Sequence, residues 1–238
     1  MIIKPLASGS RGNAYCVSDG QTTVLIECGI PAAELQKGTG FNLSRLQGIL
    51  ISHGHNDHCR AIHDCIRVGP DIYAPAEVFA AKGVHGNHCN AVQPFKGFHI
   101  GTFFVLPFDC VHDCVNYGYL LHSNHSGGRL IYFTDTCMVK YRFDGLTHIM
   151  GECNYSLEAV IRSIELGYIP ASMKERLKTC HMSIDSLLEY LRVNDIRRVR
   201  EIYLLHLSEN NSHAENFKTA VTELTGKNVF VCRGGTNI

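Results

Sequence analysis

Short apolar runs separated by polar and glycine-rich breaks dominate the first half of the chain. Runs rich in Val, Ile, Leu and Tyr predict strands, because these side chains suit a pleated and half-buried surface. Gly, Ser and Asn between the runs favour turns. This pattern predicts strands at residues 2–5, 14–17, 23–27, 48–51, 102–107, 117–121 and 130–133.

Helical periodicity is stronger in the last third. Within residues 155–166, Leu157, Ile161 and Ile164 recur at the spacing of one helix face. The predicted helices are residues 76–81, 155–166, 184–191 and 214–224, with one further strand at 201–205. Strands and helices mingle from end to end without a repeat or a Pro/Ser-rich linker. We therefore predict a single domain over residues 1–238, with sheet inside and helices outside.

The composition supports a folded core. Hydrophobic residues make up 45% of the 238 residues and charged residues 18%, which excludes a disordered or collagen-like chain. The 22 basic residues balance 22 acidic residues. A protein that coats nucleic acid or an anionic membrane carries an excess of positive charge, so the balance disfavours such a role.

The 11 cysteines indicate a reducing compartment rather than a disulfide framework. Their number is odd, and a chain of this length buries enough surface to fold without disulfides. The first residues lack the basic stretch and apolar run of a signal peptide. No apolar run approaches the ~20 residues of a membrane span. We expect a soluble cytoplasmic protein with free thiols and no membrane partner.

One segment concentrates metal-ligand side chains directly after an apolar strand. His53, His55, Asp57 and His58 occupy four of six consecutive positions. A turn cannot direct all of them inward for packing. Neutral imidazoles and a carboxylate together suit Zn²⁺, Mn²⁺ or Fe²⁺. Alternation sends His53 and His55 to one side and lets Asp57 and His58 reach the other, so the segment is expected to serve two metal ions.

The spacing His-x-His-x-Asp-His after an apolar strand resembles the signature of the metallo-β-lactamase fold. Three further residues follow apolar runs in the order of that family, namely His112 in Cys-Val-His-Asp, Asp135 in Tyr-Phe-Thr-Asp and His206 in Tyr-Leu-Leu-His. The resemblance implies the αββα four-layer sandwich of that fold, within the α/β (α+β) class.

Within the superfamily the chain is most similar to the YycJ (WalJ) family. The motifs that carry this likeness span nearly the whole sequence, at residues 6–13, 152–155, 167–170, 174–177, 180–183 and 206–211. One departure is Glu27-Cys28-Gly29, where the superfamily usually has Asp in place of Glu. One line of the family is associated with DNA exonuclease activity, so the resemblance implies a nuclease and favours DNA as its partner.

The resemblance also implies two divalent metal ions, Zn²⁺ or Mn²⁺. It assigns the ligands as His53, His55 and His112 for the first ion, Asp57, His58 and His206 for the second, and Asp135 as the bridge. Two such ions about 3.5–4 Å apart hold a hydroxide between them and clamp a phosphoryl oxygen.

Proton transfer is assigned by the same resemblance to His181 and Glu152. His181 precedes a predicted helix, with Ser183 as its N-cap, and matches a catalytic His that tRNA-processing relatives pair with a Glu. A carboxylate beside an imidazole raises its pKa and keeps it charged as an acid. The implied mechanism is in-line attack of hydroxide on phosphorus, with Asp57 orienting the hydroxide and His181 protonating the leaving oxygen. The alternative for His181 is a helix cap.

Polar residues beside these motifs are candidate substrate contacts. Backbone N–H groups and hydroxyls in residues 8–13 suit a phosphate cradle, or the segment is an ordinary turn between strands. The basic runs 174–178 and 192–200 suit a nucleic-acid backbone, or form solvated helix faces. The candidate substrate-binding residues are Ser10, Asn13, Asn154, Tyr155 and Asn210.

The sequence therefore favours a dinuclear metal-dependent phosphodiesterase that acts on nucleic acid, DNA above all. The alternative is a small-substrate metallohydrolase, such as a cyclic-nucleotide phosphodiesterase or a thioesterase, which the neutral charge favours. A di-iron oxidoreductase of this fold would replace a loop histidine by a carboxylate and add a flavin domain. A non-catalytic binding module would have lost ligands. The sequence shows none of these three features.

Overall fold

The computed structural model describes residues 1–233. They divide into two compact units, the first formed by Met1–Asp109, Cys114–Gly128 and Arg233, and the second by Cys110–Asp113 and Arg129–Cys232. Strands and helices alternate along the chain, and the described strands belong to two sheets. The predicted α/β class is thus confirmed, while the single domain over residues 1–238 stays a prediction.

The first unit contains nine strands and four α-helices among its described residues. Its strands are β1 (Ile2–Ala7), β2 (Ala14–Ser18), β3 (Thr23–Ile26), β4 (Gly48–Leu50), β5 (Ile72–Ala74), β6 (Cys89–Ala91), β7 (Phe98–Ile100), β8 (Phe103–Asp109) and β9 (Tyr117–Ser123). Its helices are α1 (Ala32–Gly38), α2 (Asn56–Cys59), α3 (Ile62–Val68) and α4 (Ala76–Lys82). Strands β1 to β6 form one sheet in chain order. The pairs β1–β2 and β2–β3 are antiparallel, and β3 to β6 are parallel.

Strands β3 and β4 carry the core of this unit. Leu25 and Ile49 are fully buried and belong to one hydrophobic cluster with the side of α1 that carries Leu35. Strands that are buried on both faces have continuous apolar sequences. For this reason the sequence pattern predicted both β3 and β4. Their register places Ile26 beside Leu50. Because the two strands are parallel and end together, the residues that follow them meet at one edge of the sheet.

The second unit contains four parallel strands and four helices among its described residues. The strands are β10 (Arg129–Phe133), β11 (His148–Glu152), β12 (Glu201–Leu205) and β13 (Asn228–Val231), paired in that order. The helices are α5 (Leu157–Glu165), α6 (Ser172–Cys180), α7 (Ile184–Val193) and α8 (Ala214–Thr225). The longest of these helices, α8, has 12 residues. No helix within residues 1–233 has both the length and the apolar character needed to cross a membrane.

Helix α5 buries only part of the face that the apolar spacing predicted, because Ile164 packs inward but the other two residues do not. Leu157 and Ile161 are 38% and 39% exposed, whereas Ala159 and Val160 are buried. Val160 packs with Tyr155 and other apolar side chains in a small cluster at the start of the crossover from β11 to β12. The helix is turned toward this cluster, and the apolar spacing alone did not indicate which side the cluster occupies.

The imidazole of His148, at the start of β11, is 4% exposed. Its Nδ1 lies 2.7 Å from the Thr147 hydroxyl and its Nε2 3.7 Å from a carboxylate oxygen of Glu201. Burial lowers the pKa of His148 to about 4, and the Glu201 carboxylate offsets only part of this effect.

We expect His148 to make the free energy of unfolding fall with acid. The pKa of His148 is 6.5 in the unfolded chain and about 4 in the folded protein. Between these pH values the unfolded chain binds a proton that the folded protein does not, so the stability decreases as the pH decreases. One pKa unit corresponds to ~1.4 kcal/mol, and the loss by pH 4.5 is about 2 kcal/mol. Urea unfolding of wild type and His148→Gln at pH 7 and 4.5 measures it. We expect the free energy of unfolding of the wild type to fall relative to that of the variant between pH 7 and 4.5. The same difference in stability at both pH values would contradict the prediction.

Candidate metal centre

The four ligand candidates after β4 converge within the first unit. His53 and His58 are fully buried, and His55 is the N-cap of α2. The Nε2 atom of His53 lies 3.1 Å from Nδ1 of His55, and the rings of His53 and His58 are 4.2 Å apart. Asp57 places a carboxylate oxygen 3.5 Å from Nε2 of His58. The segment predicted as a loop thus continues into a short helix that brings all four side chains together.

Gly29 allows this helix to approach the end of β3. A Cβ at position 29 would lie 1.7 Å from the Asp57 carbonyl oxygen. The Cys28 N–H donates to the carbonyl of His58 at 2.9 Å, and the Asn13 N–H donates to that of Asp57 at 2.8 Å. Only glycine fits this close approach of two backbones, so Gly29 fixes the position of the Asp57–His58 pair.

Glu27 is the supporting residue that sequence reasoning left outside the site. It is fully buried at φ 62°, in the left-handed region. Both carboxylate oxygens accept from the Ser52 N–H, at 3.2 and 3.3 Å, and one lies 3.5 Å from Nδ1 of His58. A carboxylate behind a ligating histidine fixes its ring orientation and raises its basicity. The signal for this role was that Glu27 occupies the position of the usual Asp of the superfamily, and its longer side chain still reaches His58.

Two of the predicted substrate contacts in the first unit differ in exposure. Ser10 is exposed on the turn after β1. Asn13 is fully buried, and its amide nitrogen donates to the Gly9 carbonyl at 3.1 Å and lies 3.2 Å from Nε2 of His58. Asn13 therefore ties the glycine turn to the histidine cluster.

The second unit gathers another set of polar side chains at the carboxyl ends of its parallel strands. Asp135 follows β10, Glu152 ends β11 and His206 follows β12, while the register aligns Glu152 with Leu205. His181 follows α6. One ligand atom from each of these four residues lies within 4.8 Å of the others. Parallel strand ends meet at one edge, which explains why residues far apart in sequence form one cluster.

The distances within this cluster are short. His181 Nδ1 lies 2.6 Å from a Glu152 oxygen and 3.2 Å from an Asp135 oxygen, and His206 Nδ1 lies 3.6 Å from the same Asp135 oxygen. The His181 and His206 rings stack at 5.5 Å. Asp135 and His206 have φ values of 48° and 52°. Non-glycine residues keep this costly conformation where the surrounding structure holds them, typically at functional sites.

The His181–Glu152 pair holds a proton. Glu152 is fully buried and also accepts from the backbone N–H groups of Thr136 at 2.9 Å and Met182 at 3.2 Å. Burial raises the pKa of Glu152. Burial by itself lowers the pKa of His181, but the carboxylates of Glu152 and Asp135 outweigh it and raise that pKa to about 11. His181 is therefore protonated at neutral pH, with its Nδ1 directed at Glu152.

The remaining predicted site residues of the second unit lie in four different environments. Asn154 is 5% exposed, and its amide nitrogen donates to the His206 carbonyl at 2.8 Å and lies 3.1 Å from Nδ1 of that ring. Tyr155 is buried in the small apolar cluster beside α5, and Asn210 is exposed. The His112 ring lies 6.2 Å from that of His181. Asn154 thus supports His206 as Asn13 supports His58.

The donor atoms suit a divalent ion. Two ligands at the ~2.0–2.1 Å bond lengths of tetrahedral zinc lie about 3.3 Å apart, close to the 3.1 Å between His53 Nε2 and His55 Nδ1. In the second unit, the buried Asp135 and His206 offer the oxygen and nitrogen donors that Zn²⁺ and Mn²⁺ accept. Both clusters are therefore candidate metal-binding groups.

A protein-family comparison decides the affiliation. The model described as the metallo-beta-lactamase superfamily matches residues 7–131, which is more than half of the chain. The chain belongs to the metallo-beta-lactamase superfamily. This confirms the resemblance inferred from the histidine motif and the prediction of a metal-dependent hydrolase.

Proteins similar to this chain align with it over most of its length. An exodeoxyribonuclease YycJ of Bacillus anthracis is 25% identical over 239 aligned positions, which cover 94% of this chain and 89% of that protein. An exodeoxyribonuclease WalJ of Streptococcus pneumoniae is 25% identical over 228 positions, 88% of this chain and 82% of that protein. The metallo-beta-lactamase fold protein YhfI of Bacillus subtilis superposes with a TM-score of 0.71 at 16% identity, covering 98% and 97%. This structural likeness confirms the predicted sandwich fold.

Proposed function

We propose that this metallo-beta-lactamase superfamily hydrolase is a phosphodiesterase that cleaves nucleic acid, with DNA as its substrate. The observation that carries the proposal is the position of His181, whose Nδ1 lies 2.6 Å from Glu152 and 3.2 Å from Asp135. The leaving group of a DNA phosphodiester is an alkoxide, which requires a proton donor of this kind. The similar YycJ and WalJ proteins, both named exodeoxyribonucleases, support DNA as the substrate class.

The proposed cofactor is a pair of divalent ions, Zn²⁺ or Mn²⁺. Two such ions supply Lewis acidity toward a phosphoryl oxygen and lower the pKa of water. The assignment rests on the superfamily resemblance and on the donor chemistry within each unit. The proposed ligands are His53, His55 and His112 for one ion, Asp57, His58 and His206 for the other, with Asp135 as the bridge.

In this proposal His181 and Glu152 carry out the proton transfer to the leaving group. Because Nδ1 of His181 faces Glu152, the Nε2–H group is the one that protonates the leaving oxygen. Glu152 stabilises the charged imidazole and holds its orientation through the Thr136 and Met182 amides. Asp57 orients the attacking water.

The candidate substrate contacts divide by exposure. Ser10 and Asn210 are exposed and are proposed to contact the phosphate backbone. The buried Asn13 and Asn154 act on substrate indirectly, because their amides lie against His58 and His206.

The balanced charge supports a second candidate function. With 22 basic and 22 acidic residues, the chain lacks the positive excess from which nucleases gain affinity. A small-substrate hydrolase, such as a cyclic-nucleotide phosphodiesterase or a thioesterase, has no need of that excess.

We expect a purified preparation loaded with Zn²⁺ or Mn²⁺ to degrade labelled DNA. Single-stranded DNA, duplex DNA, RNA, 2′,3′-cyclic nucleotides and a thioester are compared by kcat/KM under identical conditions. The proposal requires DNA to be cleaved at least as efficiently as the other substrates, and the activity to disappear on chelation and return with metal. Turnover of only the cyclic nucleotide or the thioester would establish the second candidate and exclude the first.

A further inference from the structure

A cleft of about 520 Å³ lies in the second unit beside the His181–Glu152 pair. Residues 137–142, between β10 and β11, form one wall, and helix α7 forms the other. Its volume is typical of small-ligand sites. We call it the α7 cleft.

Backbone hydrogen bonds connect the α7 cleft to Glu152, the partner of the proposed proton donor. Met182, which lines it, follows His181 and donates its N–H to Glu152 at 3.2 Å. On the opposite wall, the Thr136 N–H donates to Glu152 at 2.9 Å, and the Thr136 hydroxyl donates to the Met138 carbonyl at 2.8 Å. Both walls are therefore anchored to one buried carboxylate. The cleft and the proposed proton donor therefore share Glu152 as a common anchor.

The lining combines opposite charges with apolar surface. Lys140 and Arg142 stand on the loop wall, and Asp185 and Glu189 on the helix wall. All four side chains belong to exposed residues. Tyr141, which separates the two cations in sequence, adds an aromatic ring to the lining. A ligand that satisfies this lining has an anionic part, a flat apolar face and hydrogen-bond donors.

The cleft also has unused polar atoms. Tyr190 and Asn194 line it and are 5% and 8% exposed. The Asn194 amide nitrogen donates to the Tyr190 carbonyl at 2.7 Å. The Tyr190 hydroxyl and the Asn194 amide oxygen have no hydrogen-bond partner among residues 1–233. Buried polar groups are normally paired with protein, water or ligand, so these two atoms are left unsatisfied in the wall of the cleft.

We propose that the α7 cleft binds the leaving nucleotide of the substrate and favours bases that carry an exocyclic amino group. This inference rests on the proposed phosphodiesterase function. Asp185 and Glu189 accept hydrogen bonds from the amino groups of guanine, cytosine or adenine, which thymine lacks. Tyr141 stacks on the base, and Lys140 and Arg142 bind its phosphate.

The charge pattern excludes simpler ligands. Inorganic phosphate is attracted to Lys140 and Arg142 but repelled by Asp185 and Glu189, so the lining has no net charge to offer it. A nucleotide separates its anionic group from its hydrogen-bond donors by the length of a sugar and a base, and it can therefore match both walls.

Direct binding to the zinc-loaded protein tests the proposal. Amide NMR shifts are followed during titration with dGMP, dCMP, dAMP, dTMP, deoxyribose 5-phosphate and inorganic phosphate. We expect shifts in residues 137–142 and in α7 with the first three nucleotides. The double variant Asp185→Asn/Glu189→Gln should bind dGMP roughly tenfold more weakly, since a good base contact discriminates by about that factor or more. Glu223→Gln, which changes an exposed carboxylate on α8, is the matched control.

Kinetics provide a second measurement. The double variant should raise KM for oligonucleotides about tenfold and leave turnover of bis(p-nitrophenyl) phosphate, which has no base, unchanged. Equal shifts with inorganic phosphate, or equal affinity for dTMP, would overturn the inference. DNA hydrolysis without any nucleotide response in the cleft would overturn the inference alone. Nucleotide binding in the cleft without phosphodiester hydrolysis would support the binding site and contradict the proposed function.

Discussion

His181→Ala lowers kcat for DNA cleavage by roughly 10²–10⁴-fold, the usual contribution of a general acid. The reason is the loss of the protonated ring that Glu152 and Asp135 hold at 2.6 and 3.2 Å. A nitrophenyl phosphodiester is far less sensitive, because its departing oxygen needs no proton. Steady-state kinetics of both substrates, together with metal analysis, measure the effect, and the metal content stays unchanged.

Glu152→Gln tests the charge of the same pair. It keeps the shape of the side chain but removes the carboxylate that favours the protonated ring, so it slows DNA cleavage in the same direction as His181→Ala. Equal losses on DNA and on the nitrophenyl ester would mean that His181 positions the substrate or caps α7. The role as an acid would then be withdrawn.

His55→Ala has the second large effect, on metal content and activity together. Its Nδ1 lies 3.1 Å from Nε2 of His53, so the variant removes one of two adjacent donors. We expect it to reduce the bound metal and to lower kcat on the order of 10³-fold, because a catalytic ion contributes several kcal/mol to the transition state. Elemental analysis and activity after metal loading measure both quantities.

The matched control for His55→Ala is His63→Ala, which removes an exposed imidazole from α3. We expect this control to keep wild-type metal content and activity. If metal bound nonspecifically to surface histidines, the control would lose metal as well. A His55→Ala protein with full metal content and reduced activity would contradict the ligand assignment. It would leave His55 a role in substrate binding instead.

Much of the fold could be predicted because the local pattern and the final burial agree. Glu201–Leu205 is a strand with the predicted bounds, and Ser183 caps α7 by accepting from the Ser186 N–H at 3.1 Å. The strand His148–Glu152 escaped prediction since it begins with a histidine and contains Gly151, although all five residues are buried. The helix Ser172–Cys180 has only a weak apolar stripe, with Leu177 and Cys180 buried.

The site was predictable to the extent that its residues lie in one short segment or end a strand. The spacing of the His53–His58 segment indicated ligands. It could not show that Glu27, which lies far earlier in the sequence, supports His58. Nor could it separate Asn13 and Asn154, whose amides lie against His58 and His206, from the exposed Ser10 and Asn210. Such distinctions depend on which strand ends are neighbours, and this is a property of the sheet order.

The crossover between β11 and β12 has a consequence for how substrate range can change during evolution. Asp135, Glu152 and His206 are borne by strand ends, whereas His181 and the α7 wall of the cleft belong to residues 153–200, inserted between two of those strands. A shift of one residue in a strand would turn one of these side chains away from the cluster, but the crossover can be lengthened or repacked while β11 and β12 stay paired. Inheritance of the strands preserves the hydrolytic chemistry, and divergence or recombination of the crossover alone can give a new leaving-group preference.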